Sequence, residues 1–149
     1  KIKINIQLLN QLVQIPEYKS AEASGFDLSA NIKDPKLIKS KEYEIMPTGL
    51  IMEIPKGYER QIRPRSGLAA KNSISVLNTP GTIDSDYRGE LKIILFNHGS
   101  KKFIINNNDR VAQMVLTPII KMELEETNEL PESIRGKGGF GSTGKWKKI

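Results

Sequence analysis

The chain has 149 residues, enough for one domain with a sizeable core, and its lack of cysteine excludes a disulfide scaffold, cysteine-ligated zinc and thiol catalysis. A single histidine, His98, argues against a multi-histidine metal site and against a Ser-His-Asp triad. Lys+Arg number 23 against 17 Asp+Glu, a net charge of +6 that attracts phosphate-bearing partners, and no apolar run approaches the roughly 18 residues of a membrane span.

From the N-terminus, Ile2, Ile4 and Ile6 alternate with polar residues and predict a strand, with no signal-peptide order around them. Leu50, Met52 and Ile54 predict another, stopped by Pro55-Lys56-Gly57. The segment after Ser66 is the one helix candidate: Leu68, Ala69, Ala70 and Lys71 are good formers, and Ser66 can cap them. Residues 78–90, rich in acids and turn formers around Tyr87, predict a β-hairpin that carries polar function; Asp84 and Asp86 could equally be ordinary turn residues. Apolar runs at 91–96, 103–105 and 111–116 follow, separated by Asn97-His98-Gly99-Ser100 and Asn106-Asn107-Asn108-Asp109. This pattern predicts an all-β, jelly-roll-like distorted barrel or sandwich with one short helix. The domain is expected over residues 1–134, and Pro131 lies in the loop that detaches a flexible C-terminal arm, 135–149.

Two motifs in the arm fail on context. Gly136-x-Gly138-x-x-Gly141 fits a dinucleotide fingerprint, but too few residues follow to build a βαβ unit. Gly139-x4-Gly144-Lys145 fits most of a P-loop, yet Trp146 stands where a magnesium-binding hydroxyl belongs. What survives is the physics of glycine: backbone N–H groups can approach phosphate oxygens closely, and Phe140 can stack on a base. Arg65-Ser66-Gly67 opens the candidate helix, where free N–H groups favour an anion. Gln113 lies among strand residues and could donate to one.

Together these segments resemble the trimeric dUTPase family. Ala23-Ser24-Gly25-Phe26-Asp27-Leu28 is similar to its first motif, Arg65-Ser66-Gly67-Leu68-Ala69 to its second, and the run from Gly81 through Ile83, Asp84 and Tyr87 to Gly89 to its third. Asp109-Arg110-Val111-Ala112-Gln113 is similar to the fourth and the run from Arg135 to Gly144 to the fifth. Phe26, where tyrosine is common, and Asn107-Asn108, where Pro-Gly is common, are departures in loop shape.

The resemblance implies a homotrimer with active sites shared between subunits, hydrolysis of dUTP to dUMP and pyrophosphate with Mg2+, and a cytoplasmic role that limits uracil in DNA and supplies dUMP. It assigns Asp84 to the attacking water and Tyr87 to the deoxyribose face. Asn78, Gly81, Thr82, Ile83 and the backbone at Lys92 are assigned to uracil. Arg65, Ser66, Gly67 and Gln113 are assigned to phosphates. Arg135, Phe140, Gly141, Ser142 and Thr143 match the closing arm, and Asp27 matches an acid reaching the metal through water. Two alternatives have distinct signatures: a dCTP deaminase of the same fold, which would carry serine where Gly67 stands, and a non-catalytic nucleotide- or nucleic-acid-binding module suggested by charge. No specific nucleic acid and no membrane are expected as partners.

Overall fold

The computed structural model describes residues 1–144. In chain order the elements are β1 (Asn5–Leu8), β2 (Phe26–Ser29), β3 (Lys36–Ile38), β4 (Tyr43–Pro47), β5 (Leu50–Glu53), β6 (Tyr58–Arg63), α1 (Ser66–Asn72), β7 (Ile74–Val76), β8 (Gly81–Ile83), β9 (Lys92–Asn97), β10 (Phe103–Ile105) and β11 (Arg110–Pro118). Strands therefore form where the apolar residues alternate, and the jelly-roll-like all-β reading holds. The ladders do not close into a barrel. A four-stranded sheet runs β2-β11-β6-β8, a three-stranded sheet β4-β9-β7, and β1-β5 and β3-β10 pair as ribbons. Every ladder is antiparallel, and neighbours distant in sequence dominate.

The core lies between these layers. In β9 the inward residues Ile93, Leu95 and Asn97 are buried while their neighbours are not, the period of two that a half-buried strand requires. They meet Leu28, Ile38, Met46, Ile74, Ile105 and Val111, all but excluded from solvent. β11 breaks the alternation: its register with β2 shifts between Arg110 and Ala112, and Val111 and Ala112 are both buried.

Two local expectations need correction. Ser66 does not cap the helix. It is the first helical residue, Arg65 in extended conformation (φ −89°) is the cap, and no side chain bonds the first turn. The helix ends at Ser73, whose left-handed backbone (φ 57°) returns its N–H to Ala69. Nor is 78–90 the tip of one hairpin. β7 and β9 are the paired arms, whereas β8, inside their connection, crosses to the other sheet and pairs with β6.

Gly25 shows why the first motif needs a glycine. A Cβ there would lie 2.5 Å from the Met114 carbonyl oxygen and 3.0 Å from Val115 Cγ2, so any side chain pushes β2 off β11. Gly25→Ala is expected to destabilise the fold by about 1–3 kcal/mol, the usual cost of overpacking. Urea midpoints at equal protein concentration, with the slope unchanged, check this.

Candidate active site

β6 organises the candidate residues, because its two ends lead to two different clusters. At its Arg63 end, the chain passes through Pro64 to Arg65. Here β2 and β11 bring Asp27 opposite Gln113, and Gln113 opposite Arg63. Arg65 Nε donates to one Asp27 oxygen (2.9 Å) and Arg110 Nη1 to the other (3.1 Å). Arg65 also donates to the Arg110 carbonyl (3.1 Å), which ties the two arginines to one strand end. Gln113 Nε2 donates to the Pro64 carbonyl (2.9 Å), so in the free chain it braces the turn that delivers residues 65–67. The Arg65–Asp27 pair is largely covered, a setting in which charge-assisted bonds fix geometry. Arg110 is a site residue that sequence reasoning quoted in a motif without giving a role. Its signal was a base at the start of a strand whose partner strand carries an acid.

The second cluster surrounds β8. Gly81 lies opposite Ile62 and Ile83 opposite Arg60. Between β8 and the start of β9 is a small cavity of about 60 Å³, lined by Ile62, Val76, Asn78, Gly81, Thr82, Ile83, Lys92, Ile93 and Ile94. Asn78, Gly81, Thr82, Ile83 and Lys92, singled out from the sequence, thus share one pocket. A Cβ on Gly81 would lie 3.3 Å from Ile62 Cβ and 3.4 Å from the Asn78 amide nitrogen, so glycine keeps that wall open. Apolar walls with an asparagine and strand-edge backbone suit a flat, hydrogen-bonding ring.

Asp84 follows β8 directly and opens a turn in which the Tyr87 N–H donates to the Asp84 carbonyl (3.3 Å). The Tyr87 hydroxyl donates to the Glu90 carbonyl (3.1 Å), and its ring is about half exposed. Beneath this turn lies a residue the sequence reading missed. Arg60 is 1% exposed, and its Nη2 donates to the carbonyls of Asp84 (3.0 Å) and, at the limit of bonding, Tyr87 (3.5 Å). Burial is the main cause that holds its pKa below the ordinary arginine value; nearby Arg88 adds to this, while Tyr87 and Asp84 oppose it. The signal was available, since Arg60 and Ile62 share the inward register of β6. Arg88 grips the same turn from outside, donating to Ser85 (2.6 Å) and Tyr87 (3.2 Å) carbonyls.

The two clusters do not meet within one chain. Asp84 lies beyond Arg60 and Arg65 beyond Arg63, so they sit at opposite ends of β6, roughly 20 Å apart at the strand's rise per residue. The glycine-rich segment joins neither cluster. Beyond Ile119, whose N–H donates to Gly57, all described hydrogen bonds of residues 120–144 stay inside that segment. Arg135 Nε donates to the Gly138 carbonyl (2.8 Å), Ser142 and Gly144 close successive turns, and Phe140 is fully exposed. Lys145, Trp146 and the terminal lysines lie outside the described residues.

Comparison with known proteins gives a consistent result. A sequence model of the dUTPase family matches residues 11–144. A deoxyuridine 5'-triphosphate nucleotidohydrolase of Nautilia profundicola is 54% identical, covering 97% of this chain and 100% of that protein. One from Bdellovibrio bacteriovorus is 51% identical, covering 97% and 98%. Among solved structures, the dUTPase of Staphylococcus bacteriophage 80alpha with dUpNHpp superimposes at a TM-score of 0.86 and 24% identity, over 97% of this chain and 99% of that one. A mutant dUTPase of S. aureus phage phi11, described for its coordination of a structural Mg(II) ion, does so at 0.79 and 22% identity, over 88% and 100%. At these identities the structural likeness speaks for the fold.

The shared carboxylate is testable without any substrate. Asp27→Asn leaves Arg65 and Arg110 without their common anion and should cost on the order of 1–3 kcal/mol, the value of hydrogen bonds to charged groups. A lowered urea midpoint checks it.

Proposed function

The chain belongs to the dUTPase family, and on that footing we propose how its residues divide the hydrolysis of dUTP to dUMP and pyrophosphate. The observation that carries this assignment is the pocket of Asn78, Gly81, Thr82, Ile83 and Lys92 with Asp84 in the turn directly after β8. Uracil enters the pocket and pairs with the Asn78 amide and with backbone groups of residues 81–83 and Lys92. The pocket closes on the uracil edge too tightly for thymine's methyl. The Tyr87 ring lies against the sugar, where a 2′-hydroxyl would collide with it.

Asp84 takes a proton from a water as its oxygen bonds the α-phosphorus, and the bond from that phosphorus to the departing pyrophosphate oxygen breaks. A positioned base of this kind contributes roughly 10²–10⁴-fold. Arg65, with Ser66, Gly67 and Gln113 beside it, holds the phosphates. Asp27 keeps the Arg65 guanidinium aimed before substrate arrives. The arm brings Arg135, Phe140, Gly141, Ser142 and Thr143 over the nucleotide and excludes bulk water.

Among the described residues no group of three or more His, Cys, Asp or Glu side chains could hold a metal ion. Both Asp27 oxygens accept bonds from arginines. This donor set builds no protein cage, and it fits magnesium carried on the triphosphate and water, which Asp27 would reach through a bridging water. When bound, the ion neutralises phosphate charge that otherwise repels the nucleophile.

The separation of Arg65 from Asp84 along β6 supports a site assembled from more than one copy, in a homotrimer. Ile120, Met122 and Leu124 support it too: they alternate in sequence, are almost fully exposed and are covered by none of the described residues. The proposed setting is the cytoplasm. No helix among the described residues is long and apolar enough to cross a membrane.

Pyrophosphate release from dUTP, measured beside dTTP, dCTP and UTP, tests the assignment: dUTP alone should react fast, and ammonia from dCTP would point to deamination. Asp84→Asn should bind dUpNHpp as wild type does and lose at least about 10²-fold in kcat. Removing residues 135–149 should lower kcat while leaving the thermal transition in place; an unfolded truncation would make the segment part of the core. For the shared site, Arg65→Ala and Asp84→Asn are each inactive alone. Unfolding and refolding the two together should recover activity, since only mixed assemblies then contain intact sites. No recovery would place both residues in one chain's site.

A further inference from the structure

The mechanism above leaves Arg60 unused, although its surroundings are the least expected in the molecule. It occupies an inward position of β6, next but one to buried Ile62, where an apolar side chain would be cheaper. Among the described residues no carboxylate lies within ion-pair distance of its guanidinium. Its Nε has no hydrogen-bond partner at all. The bonds it does make go to backbone carbonyls: Asp84 at 3.0 Å, Tyr87 at 3.5 Å and Met52 at 3.4 Å. A buried, unpaired guanidinium whose shortest bond reaches the turn carrying the base and the sugar-facing ring has a purpose there. Its planar fork holds the turn through Nη2 while Nη1 reaches the Met52 carbonyl of β5, a two-armed span that the single ammonium of lysine cannot reproduce. Backbone pairing of Arg60 with Ile83 places this fork immediately before Asp84.

We propose that Arg60 is a positioning residue for catalysis and sugar selection: from beneath the 84–87 turn, its guanidinium fixes the main chain that aims the Asp84 carboxylate and the Tyr87 ring. The proposal rests on the roles given above to Asp84 and Tyr87. The uracil pocket is lined by other residues, so binding of the base does not depend on Arg60. Loss of the fork loosens the base and the ring together, which lowers turnover and admits ribose while affinity for the uracil nucleotide persists.

The experiment compares wild type, Arg60→Met and Arg60→Lys for kcat and KM on dUTP and on UTP, with sites titrated by dUpNHpp. For Arg60→Met, kcat per titrated site on dUTP should fall about 10-fold or more, and the Kd for dUpNHpp should stay within about threefold. The ratio of kcat/KM for dUTP over UTP should contract about 10-fold, with part of kcat restored in Arg60→Lys. A purely structural role lowers the number of titratable sites but leaves kcat per site and the dUTP/UTP ratio at wild-type values, and that result overturns the proposal. Should Arg60→Met not fold, Arg60→Lys and Arg60→Gln carry the same two readouts. Wild type inactive on dUTP would overturn the functional assignment itself; active wild type with an unchanged ratio and kcat in the variants overturns only the role of Arg60.

Discussion

One strand decides how this molecule can work. β6 is an inner strand of the four-stranded sheet, paired with β11 on one side and β8 on the other. Its length is therefore fixed by two ladders, and the distance between what hangs from its ends cannot be adjusted. At one end the pairing of β11 with β2 supplies Asp27 and Arg110 to hold Arg65. At the other, β8 delivers Asp84. A rigid antiparallel sheet makes an accurate support and a poor hinge, so the two halves of the chemistry cannot be united by bending the strand. In the proposed assembly a neighbouring copy unites them.

Charge in this fold is arranged to set geometry more than to hold the fold together. Asp27 sits between two guanidiniums, and Arg60 and Arg88 bracket a turn through its carbonyl oxygens. The hydrophobic core is supplied by residues such as Leu28, Leu95 and Ile105, and of the bracketing groups only Arg60 is buried with them. The division matters for variation. Substitutions in the core act on how much folded protein there is, whereas substitutions in these brackets act also on where side chains point.

Much of this was legible in the residues. Alternation at Leu50, Met52 and Ile54 and the runs at 91–96, 103–105 and 111–116 located strands, because a half-buried strand must alternate. Glycine and asparagine located the turns. The pocket residues 78, 81–83 and 92 came from the resemblance to the family's third motif and its flanks. Strand pairing was less legible. Nothing local says that β8 prefers β6 to β9, since that choice depends on two segments separated by eighteen or more residues. Arg60 escaped for a similar reason: an arginine in a strand reads as surface until the face it occupies is known. Ser66 was misread as a cap because serine before good helix formers usually is one, while here the helix starts a residue earlier.

Among the described residues, the segment beyond Ile119 shares no hydrogen bond with the rest of its own chain, yet it contains the glycine-rich residues assigned to closing the site. Lys121 and Arg135 lie along it, exposed. Where no other copy covers it, a trypsin-like protease can reach those bonds without first opening the sheets. Under the proposed role of the arm, one cut would silence the enzyme while the β domain stays folded, and catalytic lifetime and structural lifetime would be set by different parts of the polypeptide.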